Sequence, residues 1–143
     1  MEQIDILLAT YNGQKYLNEQ LDSILNQTYN NFRLIISDDA SSDDTKKILE
    51  EYKKKDSRIE VYYHEENLGY VKNFEFLLSK VENEFYALAD QDDIWLQNKI
   101  ENAVKSLNEN NADLYFCDLL LINDEGKEIG NSFWKEKGFY KKV

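Results

Sequence analysis

Three carboxylates stand within four residues in the stretch ALADQDDIW (87–95): Asp90, Asp92 and Asp93, directly after an apolar run. Like charges this close raise one another's pKa values and cost stability unless a positive group lies between them. In extended backbone the side chains at i and i+2 point to the same side, so Asp90 and Asp92 can converge on one hard cation. Mg2+ or Mn2+ held there would bridge to phosphate oxygens and offset the repulsion. The alternative is that these residues cap a following helix, a role that one aspartate fills and that suits Asp93 best.

A second acidic pair, Asp38 and Asp39 in SDDAS, also follows an apolar run. One of them can accept hydrogen bonds from the N–H or O–H groups of a base or ribose; both can equally serve a turn and a helix cap. Tyr11, in ATYNG, stands where an aromatic ring could stack on a planar base or simply occupy a turn, and Asn12-Gly13 after it is a good turn dipeptide. Lys72, near Gly69 and Asn73, could touch a diphosphate or be an ordinary surface lysine. His64 is the only histidine and there is one cysteine, Cys117, which argues against a zinc site and excludes an internal disulfide. Neither G-x-x-x-x-G-K-[ST] nor G-x-G-x-x-G occurs, so a phosphate-loop nucleotidase and a classical dehydrogenase both drop out.

The elements that must position these residues alternate along the chain. Apolar runs at 4–9, 32–37, 58–64 and 85–90 read as strands. Between them lie helical periodicities: 15–27 with Leu17, Leu21 and Ile24; a second helix capped by Ser41 or Ser42 and running to about Lys55; and 71–80 with Phe74, Leu77, Leu78 and Val81 on one face. A fourth helix is expected over 94–110, a strand over 113–123, and a hairpin turn at NDEGKE with a short return strand. Strands alternating with helices predict an α/β fold, a mostly parallel sheet with helices on both faces and a C-terminal hairpin. Such sheets bind ligands in the crevice at the carboxyl ends of their strands, which is where TYNG, SDDASSDD, HEENLG and DQDD fall.

The 143 residues suit a single domain over 1–143 with a real core. A formal net charge of -11 makes nucleic acid an unsuitable partner, and a phosphorylated ligand would need a cation as mediator. No signal peptide is evident and no apolar run approaches the roughly 20 residues that span a bilayer, which makes the cytoplasm the expected location.

Taken in order, IDILLATYNGQKYLNEQLDSILNQTYNNFRLIISDDASSDDT, ENLGYVKNFEFLL and ALADQDDIWLQNKIE resemble the family 2 glycosyltransferases, and more narrowly their bacterial rhamnosyltransferase-like members. The resemblance runs to about residue 134, and four motifs in order make it specific. It implies a GT-A fold, a nucleotide-sugar donor (a UDP- or dTDP-sugar, with dTDP-rhamnose a candidate), a saccharide or lipid-linked acceptor, inverting transfer, and a place at the cytoplasmic face of a membrane. In that pattern Tyr11 matches the ring that stacks on the pyrimidine, Ala9 and Thr10 the backbone along the base, and Asp39 the acid that bonds the base. Asp90 matches the first residue of the D-x-D pair, near ribose and metal, and Asp92 the more direct metal ligand. The candidate donor-binding set is therefore Ala9, Thr10, Tyr11, Asn12, Asp38, Asp39, Lys72 and Asp90, with Asp90 and Asp92 as ligands to Mg2+ or Mn2+.

The chain departs from the pattern in two ways. Gln97 stands where most relatives carry proline, and no residue matches the general base of the acceptor-binding half, so a truncated, weakly active or inactive chain is expected. A receiver-like regulatory module also carries paired aspartates at a strand end, but it needs a lysine after a late strand that DLLLIN does not offer. A nucleotidyltransferase would need a basic, Gly-rich first loop, whereas TYNGQKY has one glycine and one lysine.

Overall fold

The computed structural model describes residues 2–139. Its elements run β1 (Ile4–Thr10), α1 (Leu17–Leu25), β2 (Phe32–Asp38), α2 (Thr45–Lys55), β3 (Ile59–Tyr63), α3 (Tyr70–Leu78), β4 (Phe85–Ala89), α4 (Lys99–Asn110), β5 (Leu121–Ile122), β6 (Glu128–Gly130) and α5 (Phe133–Glu136). The chain divides into two compact units, Met1–Asn102 and Ala103–Val143.

In the first unit the four strands are parallel and ordered β3-β2-β1-β4. The chain steps outward from β1 to β3 and then returns across the sheet to place β4 on the other side of β1. Right-handed crossovers put α1 and α2 on one face and, because the direction reverses, α3 on the opposite face. Strands covered on both faces are apolar throughout rather than alternating, and β1 and β2 are buried along nearly their whole length. Leu7 and Ile35, in register across the sheet, pack against Phe74 and Leu77 of α3, with Ala9, Tyr62 and Val81 at the margin. On α1 and α2, Leu17, Leu21, Ile24 and Leu49 are fully buried, each contributing about 1.5–3 kcal/mol of apolar burial.

One charge is buried at the amino end of the sheet. Asp5 has no exposed surface and accepts bonds from Arg33 Nε at 2.8 Å, the Glu82 and Asn83 backbone N–H groups at 2.8 and 3.0 Å, and Asn83 Nδ2 at 2.8 Å. Burial alone would raise its carboxyl, but Arg33 and the three N–H donors of Glu82 and Asn83 outweigh it and bring the pKa from 3.8 to about 2. The contact fixes the turn by which the chain enters β4.

The four strands of the first unit and its three helices follow the sequence reading to within a few residues. The expected helix over 94–110 begins only at Lys99, because the preceding segment bonds to the end of α1 instead. Trp95 N–H donates to Ser23 Oγ, the Leu96 carbonyl accepts from Gln27 Nε2, and the Gln97 carbonyl accepts from Thr28 N–H. Neither Ser41 nor Ser42 caps α2; the residue before it is Asp44, while Asp43 Oδ1 takes the Thr45 N–H. Leu78 is exposed rather than on the core face of α3.

In the second unit the expected strand over 113–123 reduces to Leu121–Ile122, paired antiparallel with β6. The NDEGKE turn forms as read, with Asn123 Oδ1 accepting from Glu125 and Lys127 N–H groups and Gly126 at φ 75°. Ser132 caps α5 through Lys135 N–H and donates to Asp118 Oδ2.

Candidate functional site

Where a parallel sheet reverses its strand order, the loops leaving neighbouring strands diverge to opposite faces and open a crevice at the carboxyl ends. Here that point lies between β1 and β4. Tyr11 follows β1 and Asp90 follows β4, so the two motifs that the sequence singled out flank it.

The loops after β1 and β2 are built as one piece. Asn12 N–H donates to Ser41 Oγ at 2.8 Å, and Asn12 Oδ1 accepts from Ser42 N–H at 2.8 Å. Gly13 N–H donates to Thr45 Oγ1, Gln14 N–H to Asp43 Oδ2, and Asp44 N–H to Gln14 Oε1. This is where the serines expected to cap α2 are used. Asn12 and Ala40 take left-handed backbone, at φ 49° and 61°, a cost these bonds offset. The Thr10 carbonyl accepts from Asp39 N–H at 2.9 Å, and Thr10 and Ala9 lie in register with Asp38 and Ser37. Tyr11 projects from this fused loop with 47% of its surface exposed.

Asp38 and Asp39 are both buried and both already bonded. Asp38 accepts from Ser41 Oγ at 2.5 Å and Ser41 N–H at 3.2 Å, a turn-forming role. Asp39 reaches the other way, accepting from Leu68 N–H at 2.7 Å and Gly69 N–H at 2.9 Å, and so holds the loop that leads into α3. Lys72 is exposed on the first turn of that helix. His64 is structural: its Nε2 lies 2.9 Å from Ser37 Oγ and its ring meets Phe76 edge-on.

Asp90, Asp92 and Asp93 are exposed at the mouth of the crevice. Gln91 and Asp92 form a turn, so the alternation of an extended strand does not apply to them; proximity brings the charges together instead. Partial desolvation pushes the Asp90 carboxyl up, and the Asp92 charge adds to it. Asp93 is raised by desolvation, Asp90 and Asp92, with Lys99 pulling the other way. Among the described residues no three His, Cys, Asp or Glu side chains close into a metal cage. Two exposed carboxylates, Asp90 and Asp92, nevertheless suit a hard divalent ion that takes its other ligands from phosphate and water.

The residue that sequence reasoning passed over lies between the aspartates. Gln91 Oε1 accepts from Thr10 Oγ1 at 2.7 Å and Tyr11 N–H at 2.9 Å, and its Nε2 donates to the Tyr11 carbonyl at 3.1 Å. A Cβ on Gly13 would lie 2.4 Å from that Oε1, so glycine there leaves room for the amide. Only the adjacency of β1 and β4 in the sheet makes this contact visible; the D-x-D spacing carries no sign of it.

With this geometry established, the glycosyl transferase family 2 profile matches residues 5–142. The chain belongs to glycosyl transferase family 2. The dTDP-rhamnosyl transferase RfbG of Shigella flexneri is 37% identical over 85% of this chain and 44% of its own length. The UDP-Glc:alpha-D-GlcNAc-diphosphoundecaprenol beta-1,3-glucosyltransferase WfgD of Escherichia coli is 31% identical over 98% of this chain and 54% of its own. The crystal structure of S. aureus TarS 1-349 in complex with UDP superposes with a TM-score of 0.70 at 29% identity, covering 76% of this chain and 33% of that one. The architecture is thus the GT-A fold expected from the motifs. This family 2 chain spans about half the length of the curated relatives, or less. Among its described residues no helix is long and apolar enough to cross a membrane.

Proposed function

We propose that this protein binds a pyrimidine nucleoside diphosphate sugar in the crevice between β1 and β4 and transfers the sugar to a saccharide or lipid-linked acceptor with inversion. One observation carries the reading: an exposed aromatic ring, Tyr11, and an exposed carboxylate pair, Asp90 and Asp92, flank the strand-order reversal of a family 2 chain. The dTDP-rhamnosyl transferase and UDP-Glc glucosyltransferase relatives, and a TarS structure in complex with UDP-GlcNAc, favour uracil or thymine and leave dTDP-rhamnose as one candidate.

In this reading Tyr11 stacks on the base, with the backbone of Ala9 and Thr10 along its edge. The buried Asp39 carboxylate keeps a free lone pair on each oxygen for a base N–H while holding the Leu68–Gly69 backbone. Asp38 and Asn12 act through the fused loop, keeping Tyr11 in place. Asp90 and Asp92 would hold Mg2+ or Mn2+, with Asp90 also near the ribose, and Lys72 adds positive charge for the diphosphate. When bound, such an ion stabilises the charge that develops on the nucleoside diphosphate as it leaves. No residue of this chain is assigned as general base.

Thermal unfolding with UDP or dTDP, with and without Mn2+, tests the proposal. Nucleotide at about one hundred times its Kd adds about 2.7 kcal/mol to stability, and the shift should require the metal and fall in Tyr11→Ala. Equal shifts from metal alone, or none with either nucleotide, would refute it.

A further inference from the structure

We infer that Gln91 is a positioning residue that makes the nucleoside site and the cation site a single unit, so that metal and diphosphate reinforce each other's binding. The inference rests on the donor-site reading above and goes beyond it by naming what joins the two halves. Tyr11 follows one strand and Asp90 another, and Gln91 and Thr10 are 81 positions apart in sequence. Across that junction the Gln91 amide engages Tyr11 as a neighbouring strand would, accepting from its N–H and donating to its carbonyl, and accepts as well from Thr10 Oγ1. It therefore fixes the backbone of the stacking residue from the middle of the turn that carries Asp90 and Asp92.

The chemistry of the side chain is specific. Glutamate keeps the acceptor but loses the donor to the Tyr11 carbonyl and adds a fourth charge to the turn. Asparagine keeps both groups but is one methylene shorter. Alanine loses all three bonds, and Gly13 opposite leaves a gap that nothing fills. A nucleoside that touches only the Tyr11 side is indifferent to the spacing between the loops. A nucleoside diphosphate bridging to a metal on Asp90 and Asp92 needs that spacing held.

The test compares uridine, UDP, and UDP with Mn2+ by calorimetric titration of the purified protein and of its Gln91→Ala and Gln91→Asn forms. The wild type should bind UDP more tightly with Mn2+ than without. Gln91→Ala should lower that enhancement roughly tenfold, the equivalent of one or two hydrogen bonds, while uridine affinity changes less than about threefold, because the ring still stacks. Gln91→Asn should fall between and serves if the alanine form does not fold. Hydrogen exchange without ligand provides a second readout: the Tyr11 amide should lose protection in Gln91→Ala and the strand interiors should not. An unchanged enhancement ratio, or a uniform loss for uridine and UDP alike, overturns the inference and leaves the donor-site reading standing. If the wild type itself shows no metal enhancement, the donor-site reading falls and this inference falls with it.

Discussion

Replacing Asp5 by asparagine should cost stability in a way that depends on pH. The Asp5 carboxyl sits near 2 in the folded chain against an ordinary 3.8, and each unit of depression is worth about 1.4 kcal/mol, or about 2 kcal/mol in all. Because the folded value is depressed, that stabilisation is present above 3.8 and is lost as the pH falls through about 2. An amide is nearly isosteric with a protonated carboxyl, so wild type and Asp5→Asn should converge in acid. Urea unfolding followed by circular dichroism, in steps from about pH 6 to about pH 2.5, should show a gap of about 2 kcal/mol that closes toward the acid end. Asp5 lies at the opposite end of β1 from Tyr11, so nucleotide affinity at neutral pH should hold. A gap that stays constant with pH, or a variant more stable than wild type at pH 6, would refute the account of Asp5 as an ion pair with Arg33.

Asp92→Asn should abolish metal-dependent nucleotide binding yet unfold slightly higher than wild type in metal-free buffer, by a few tenths of a kcal/mol, since like charges at close range destabilise by such amounts; a lower melting point would show that Asp92 is structural. Gly13→Ala should reproduce the nucleotide phenotype of Gln91→Ala with only a small drop in melting temperature, because the new Cβ meets the far end of the Gln91 side chain rather than backbone; unaltered metal enhancement would mean that the amide has room to shift. Asp39→Ala should cost about 2 kcal/mol by leaving the Leu68 and Gly69 N–H groups without their acceptor, with faster hydrogen exchange at those two amides as the marker; full protection there would show that the loop is held by something else.

The strand–helix alternation of the first unit was legible because each apolar run is short and bounded by turn residues, and because β1 and β2 are buried on both faces. The motifs at the strand ends were legible for the same reason. What could not be read was which groups those ends bond to. Ser41 and Ser42 have the chemistry of caps, but Asp38 claims Ser41 locally and Asn12 claims both, from a loop brought alongside by the pairing of β1 with β2. The start of α4 moved for a similar reason, since Gln27 and Thr28 bind carbonyls that a helix over 94–110 would have used. The run at 113–123 read as a strand on apolar content, yet Leu114 and Phe116 are 75% and 72% exposed and only two residues pair. A strand requires a partner in register, and hydropathy does not say whether one exists.

The strand order also bears on how the molecule assembles. Pairing β1 with β2 closes a span of about 28 residues, whereas bringing β4 to β1 closes about 80. Closure entropy and slow non-local pairing both favour the shorter span first. The like-charged turn is then gathered only after the aliphatic layers of β1 to β3 exist to hold it. A nascent polypeptide halted before β4 would already carry Tyr11 at the end of β1, but neither the three carboxylates nor the Gln91 amide that brackets its backbone.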